Sequence, residues 1–406
     1  MEPRSACCCI VGGGPAGMML GLLLSRAGID VIVLEKHADF LRDFRGDTIH
    51  PSTLEIMHEL GLLETFLKLP HQKVETLNAR FGASELTLAD FTHLPTHCRF
   101  IALMPQWDFL DFLAREASRY PAFHLHVQAE ATGLIEEGGR IVGVRAETSE
   151  GALEIRADLV VGADGRHSTV RQAAGLAVEE LGAPLDVLWF RLPRVSGDPE
   201  DTAIRLGSGR LLVLLNRGDY WQAGYAIPKG SIDQLRATGL PELHRHIAEV
   251  APFIRDRVGE LDDWDKIKLL TVRVDRLRRW HRPGLLCIGD AAHAMSPVGG
   301  VGINLAIQDA VATANLLHEP LRNRSLTEAD LARVERRREL PTRVIQRMQL
   351  LVQNRIIANV LASRAPPRPP LLLRMLGRLT WLRRLGARLI GVGIRPEHVL
   401  TPARRP

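Results

Sequence analysis

The 406-residue chain has no cysteines at the paired spacing that a metal site or a local disulfide uses. Cys7, Cys8 and Cys9 alternate faces if extended, so they can neither close together on a metal nor pair with one another. With Cys98 and Cys287 they read as small buried hydrophobes in a reducing, cytoplasmic setting, and no metal is expected. No run of about 18 uncharged apolar residues exists, so no helix is expected to span a membrane. The first apolar run, Cys7–Val11, breaks at once into glycine, unlike a secretory leader. Aromatics make up only 5% and do not interleave with basic residues, so nucleic acid is not an expected partner. Three tyrosines leave no identifiable pair of the kind that activates a phenol. No Ser/His/Asp or Cys/His grouping for nucleophilic catalysis stands out either.

What is present is ordinary in bulk and uneven in detail. A hydrophobic share of 46% with 24% charged residues suits a folded protein, and the length suits two domains. Net charge is +5, yet ten arginines and one acid follow Ser363, so the body before them is acidic. Residues 7–35 read as strand, glycine turn, helix and strand. Between about 181 and 275, alternating stretches such as "DVLWFRLPR" and "YWQAGYAIPK" predict an antiparallel sheet. Residues 327–362 predict one or two helices interrupted at Pro341, before the breaker "APPRPP".

Three motifs carry chemistry. Gly12, Gly14 and Gly17, with Pro15 and Ala16 between them, follow a strand and open a helix. The first glycine permits a tight turn, the second lets backbone approach a pyrophosphate, and the third lets helix and strand pack closely. Glu35 ends the next strand, where a carboxylate accepts ribose hydroxyls, and Lys36 follows it. Farther on, Asp164 lies in "GADG" at a strand end, and Gly289-Asp290 closes another strand. A second glycine loop follows: Pro297, Gly299, Gly300 and Gly302, opening a helix through Ile303 and Asn304. A nicotinamide alone has no use for the second set. It fits a cofactor long enough to cross the fold, whose far end needs its own cradle.

With these motifs in this order, the sequence resembles the single-component flavoprotein monooxygenases typified by p-hydroxybenzoate hydroxylase, over roughly residues 6–320. The resemblance implies an α/β fold: an FAD-binding Rossmann-like domain of the glutathione-reductase type, an inserted antiparallel β-sheet substrate domain, and a C-terminal helical region. Residues 1–72, 99–180 and 271–325 would form the first, 73–98 and 181–270 the second, and 326–406 the third with its basic tail. FAD is the implied cofactor, NADPH or NADH the transient electron donor and O2 the co-substrate. The implied reaction is hydroxylation or epoxidation of an aromatic, polyketide or other electron-rich small molecule by a flavin C4a-hydroperoxide. Asp290 is implied on the ribityl chain and Asp164 at the Asp-Gly motif, near Arg166 and Arg171. Arg45 of "DFRGDTIHPSTL" and Gln106 of "MPQWDFLDFL" are implied cofactor contacts, with solvated surface positions as the alternative. Asn304 is implied against the flavin, and Pro297, Gly299 and Gly300 where oxygen reacts, with no side-chain nucleophile.

The substrate is read less directly. Its candidate contacts are His50, Trp189, Arg205, Tyr220, Trp221 and Tyr225, each of which could equally be packing. His293 reads as a structural histidine rather than an acid or base. The basic tail, with Arg374, Arg378, Arg384 and Arg388 in one helical sector, is a candidate for peripheral membrane contact or for packing over the substrate mouth. The oligomeric expectation is a monomer or homodimer. A flavin-dependent halogenase shares the framework but carries a Trp-x-Trp-x-Ile-Pro-type segment that is absent here. A flavin reductase or dehydrogenase, and a flavoprotein without turnover, remain alternative readings.

Overall fold

The short apolar runs that precede each glycine motif become neighbouring parallel strands. The computed structural model describes residues 4–41, 48–82, 84–363, 369 and 379–404. In it, strand Arg4–Val11 lies between Val31–Leu34 and Gly151–Gly162, and Leu285–Cys287 adds beyond the last. Their carboxyl ends are in register: Val11 pairs with both Leu34 and Gly162, and Gly162 with Cys287. Gly12, Glu35, Asp164 and Gly289 therefore leave the sheet along one edge, where open α/β sheets bind ligands. Helices Pro15–Arg26 and Gly302–Arg322 pack on these strands and strand Ala129–Glu137 also meets them, so Val31–Leu34 is an unbroken apolar run buried at every position. The first helix, Pro15–Arg26, is buried from Ala16 through Ser25 and packs against the later helix Gly302–Arg322. Both glycine motifs thus open helices that lie side by side.

The second sheet has seven strands in the order Lys268–Leu270, Leu185–Pro193, Tyr220–Pro228, Arg210–Asn216, Ala203–Gly207, Thr76–Phe81 and Ser84–Asp90. It is not wholly antiparallel as expected. Ala203–Gly207 runs parallel to Thr76–Phe81, because that pair joins two distant segments of the chain with no hairpin between them. Trp189, Val213 and Leu211 share the inner face with Val298 of the second glycine loop. The outer face is covered by helix Leu240–Val250, whose Leu243 and Ile247 pack on Leu188, Phe190, Trp221 and Tyr225.

This layering corrects three expected substrate contacts. Trp221 is 1% exposed on the outer face, and its Nε1 donates to Asp198 at 3.0 Å. Tyr225 lies on the same face with its hydroxyl beside His246. Arg205 pairs across the sheet with Leu212 of that face and sits over the Phe253 ring. Period-two alternation sends all three away from the glycine loop.

The long helix Glu328–Val352 runs straight through Pro341, so the expected interruption does not occur. Contacts on both sides of the proline hold the helix: Arg338 bonds Asp309 before it, and Gln346 and Gln349 bond backbone carbonyls after it. The C-terminal helix Thr380–Gly391 lies against strand Ser84–Asp90, with Ala387 buried and Gly391 close to Leu94, Phe91 and Pro51. Arg384 and Arg388 are exposed on it, whereas Arg374 and Arg378 lie outside the described residues. Among the described residues no helix is long and apolar enough to cross a membrane.

Arg257 clamps the outer layer through two bonds to Asp198, at 2.8 and 2.9 Å. Asp198→Asn leaves Arg257 buried with a weakened partner, and should cost about 3 kcal/mol in urea unfolding. Unchanged stability would show that Arg257 does not depend on this carboxylate.

Candidate active site

Sterics decide where the first glycine motif can hold a ligand. Gly12 has φ +108°, and a Cβ there would stand 2.4 Å from the carbonyl oxygen of Ala163. A Cβ on Gly17 would stand 1.9 Å from the Gly12 oxygen, so helix and strand touch there. Gly14 differs, because a Cβ would meet nothing within 4 Å. Its missing side chain leaves room for a ligand rather than for the protein. The helix that starts at Pro15 has no side-chain cap and no acid in its first turn, so its N–H groups and positive end remain available to phosphate. Glu35, 7% exposed, accepts from Gly13 N at 3.0 Å and His37 N at 3.0 Å. Lys36 is exposed beyond it.

The second loop repeats this design with different supports. Gly299 and Gly300 have φ +80° and +62°, values that favour glycine. Thr48 donates its hydroxyl to the Gly300 oxygen at 2.9 Å, and a Cβ on Gly300 would lie 2.6 Å from that hydroxyl. The nearest atom to a Cβ on Gly302 would be 3.8 Å away, again leaving space. Helix Gly302–Arg322 has no side-chain cap and no acid in its first turn. Asn304 is buried, its Oδ1 accepting from His50 N at 3.1 Å and Thr53 Oγ1 at 2.7 Å. Pro297 is half-buried before the loop. From the long helix, Gln349 donates to the carbonyls of Ser296 and Val298 and accepts from Ser296 N.

Between the loops lies the Gly289 turn. Gly289, φ +58°, is pinched between Ala16 and Ala306, each 3.2 Å from where its Cβ would be. Its N–H donates to Asp309 Oδ2 at 3.0 Å, and half-buried Asp290 follows. Asp309 is fully buried and also meets His293 Nε2 at 2.6 Å and Arg338 Nε at 2.9 Å. Burial alone would raise the Asp309 pKa, but His293 and Arg338 outweigh it and hold the carboxyl below its usual range. Asp309 and Arg338 escape a motif reading. They stand 29 residues apart on different helices, and a charge inside each buried helical stripe is the only trace they leave.

The other expected residues scatter. Arg45 lies outside the described residues. Gln106 is half-buried at the start of helix Gln106–Ala117. Asp164 follows the Gly151–Gly162 strand, its Oδ2 accepting from Val170 N at 3.1 Å, and burial raises its pKa. Arg171 is buried and bridges towards Asp275 and the Ala291 carbonyl, a framework role. Tyr220 sits at the far end of its strand under the Arg191 guanidinium. Trp189 remains on the inner face, packed on Gly224, where a Cβ would come within 3.0 to 3.3 Å of its ring atoms. His50 is wholly buried beside Asn304, its Nδ1 2.8 Å from the Ile390 carbonyl of the C-terminal helix and its Nε2 without a partner among the described residues.

Two uncapped helix N-termini flanking one turn suit a cofactor with a diphosphate at one end and a ring that becomes anionic at the other. That is the class of flavin-binding oxidoreductases. The chain belongs to the FAD binding domain family, which it matches over residues 5–348, and it is an FAD-dependent monooxygenase of the p-hydroxybenzoate hydroxylase type. It is 34% identical over 366 residues to 6-methylpretetramide 4-monooxygenase of Streptomyces rimosus, covering 89% of this chain and 86% of that one. Identity to rifampicin monooxygenase of Streptomyces venezuelae is 28% over 319 residues, covering 74% of this chain and 61% of that longer protein. Among solved structures, Pseudomonas aeruginosa PqsL in complex with 2-aminobenzoylacetate matches with a TM-score of 0.76 at 22% identity, covering 89% of this chain and 100% of that one. FAD, NAD(P)H and O2 are its cofactor, donor and co-substrate.

Burial lowers the His50 pKa from 6.5 to about 4, although the Ile390 carbonyl opposes this. The unfolded chain therefore takes up the proton first, and His50 makes folding less favourable as pH falls from about 6.5 to about 4. Urea unfolding at pH 7 and pH 4 should show wild type losing on the order of 3 kcal/mol more than His50→Gln. Equal losses would mean that His50 is already solvated.

Proposed function

We propose that this monooxygenase hydroxylates a flat aromatic polyketide, a reading supported by its 34% identity to 6-methylpretetramide 4-monooxygenase. The observation that carries the reading is the wall opposite the second glycine loop. There the Trp189 indole lies on Gly224 beside Val213, and its buried Nε1 has no partner among the described residues. A broad planar face with one unspent donor suits a fused-ring substrate bearing an oxygen. The three tyrosines offer no alternative: Tyr120 lies in the loop after helix Gln106–Ala117, Tyr220 sits at the start of its strand under Arg191, and Tyr225 faces outward. A substrate needing a tyrosine pair to ionise its phenol is therefore disfavoured.

Once bound, FAD supplies the acceptance of hydride from NAD(P)H and the activation of O2. The chain supplies position and environment. The Gly14 turn and its helix would hold the diphosphate, with Glu35 on the ribose and Asp290 on the ribityl chain. Backbone N–H groups of the 299–302 loop would hold the ring, and the positive end of helix Gly302–Arg322 favours charge on it. Trp189, Val213 and Val298 keep the opposite side apolar, which excludes water from the oxygen-transfer step. His50 is neutral at pH 7, and its unpartnered Nε2 is an acceptor for a substrate hydroxyl. The lack of any disulfide among the described cysteines supports a reducing, cytoplasmic setting.

The test is a coupled assay of NAD(P)H oxidation and product mass across single-ring phenols and fused-ring aromatics. Fused-ring compounds should gain one oxygen with tight coupling. For them Trp189→Phe should raise KM about tenfold by loss of the donor, and Trp189→Ala should raise it further, with reduction of the flavin retained. Oxygenation confined to single-ring phenols, with Trp189→Phe silent, would refute the reading.

A further inference from the structure

The strand that carries Arg205 borders a cavity on the outer side of the seven-stranded sheet. Its volume is about 240 Å³, and Arg80, Arg205, Ser208, Arg210, Glu249 and Val250 are among its lining. The sheet separates it from the glycine loop, because Leu211 and Val213 on the adjoining strand face the opposite way.

Charge is unevenly satisfied in this cavity. Arg80 is engaged by Asp201 at 2.9 Å and Glu85 at 3.2 Å. Arg210 is engaged by Glu249, the one acid in the lining. Among the described residues no carboxylate lies within ion-pair distance of Arg205, and Asp201 and Glu85, which pair with Arg80, act on it only from farther off. It is 9% exposed, its Nε is buried without a hydrogen-bond partner, and its guanidinium stacks 4.7 Å from the Phe253 ring centroid. Guanidinium does not shed its charge in proteins, and a buried charge needs an opposite charge or a full set of acceptors. The ring contact offsets part of that cost but accepts none of the N–H bonds. What the protein leaves unsupplied is a planar acceptor of negative charge, next to empty space.

We propose that this cavity is a binding site for a small oxyanion, the carboxylate or phosphate group of a ligand other than the oxidised substrate, held on the fork of Arg205. Both groups match guanidinium in two-point geometry, and Ser208 adds a hydroxyl to the lining. The cavity is smaller than sites for drug-sized aromatics, so it selects a compact acid or an anionic head group. Arg80, paired with Asp201 and Glu85, and Arg210, paired with Glu249, add positive field beside the Arg205 fork.

The test uses the full-length, FAD-loaded enzyme, titrated by calorimetry with inorganic phosphate and separately with malonate, ionic strength being held constant with sodium chloride. One of the two should bind saturably and raise the thermal midpoint, and the preferred one identifies the group. Arg205→Met should weaken that binding at least tenfold, and Arg205→Lys, which keeps charge but not the fork, should fall between. Should Arg205→Met fail to fold, the wild-type titration and Arg205→Lys still decide the matter. No saturable binding of either anion to wild type overturns the proposal, and so does unchanged affinity in the variants.

Discussion

One buried carboxylate holds the cofactor edge together. Asp309 lies inside the helix that begins at the second glycine loop, yet it accepts the Gly289 N–H of the Gly-Asp turn. A charge with no exposure to water persists only if its acceptor capacity is filled and an opposite charge is close. His293 and Arg338 meet that need, and each comes from a different part of the chain. The same bonds that make Asp309 tolerable therefore fix the turn preceding Asp290 against two helices at once.

The network extends beyond the motifs. Arg338 reaches Glu397 at 3.3 Å and the Arg395 carbonyl at 3.2 Å, and Arg337 grips the same Glu397 at 2.7 Å. Glu397 N donates to Gln308, one residue before Asp309. Farther along, Arg404 N bonds the carbonyl of Arg26, where the first helix ends. The terminal segment thus ties the long helix, the ring-loop helix and the dinucleotide helix into one frame. Gln349 carries that frame to the Ser296–Val298 backbone. The reach of the long helix into the loop explains why Pro341 does not break it.

Much of the cofactor half was legible in the chain, because glycine is demanded by sterics that leave a local mark. Gly12, Gly17 and Gly300 each sit where a Cβ would collide with protein, whereas Gly14 opens on empty space and Gly302 would meet only Met295 at ordinary contact distance. Strand, turn and helix around them follow from short-range pattern alone. The seven-stranded sheet was less legible because both of its faces are buried. Trp189 and Trp221 belong to equally apolar strands, and only the helix Leu240–Val250 decides which face is outer. An alternating pattern cannot report that choice when neither face meets water. Asp309 and Arg338 stayed hidden for another reason: their meaning is a contact between distant helices, without spacing to betray it.

The central claim is that Asp309 serves the cofactor and not only the fold. The most direct measurement is the FAD dissociation constant of folded Asp309→Asn apoprotein, by quenching of flavin fluorescence. An amide has one acceptor oxygen for three donors, so the Gly289 turn should loosen, and FAD should bind at least tenfold more weakly than to wild type. Wild-type affinity for FAD in a variant that has lost only stability would contradict the account.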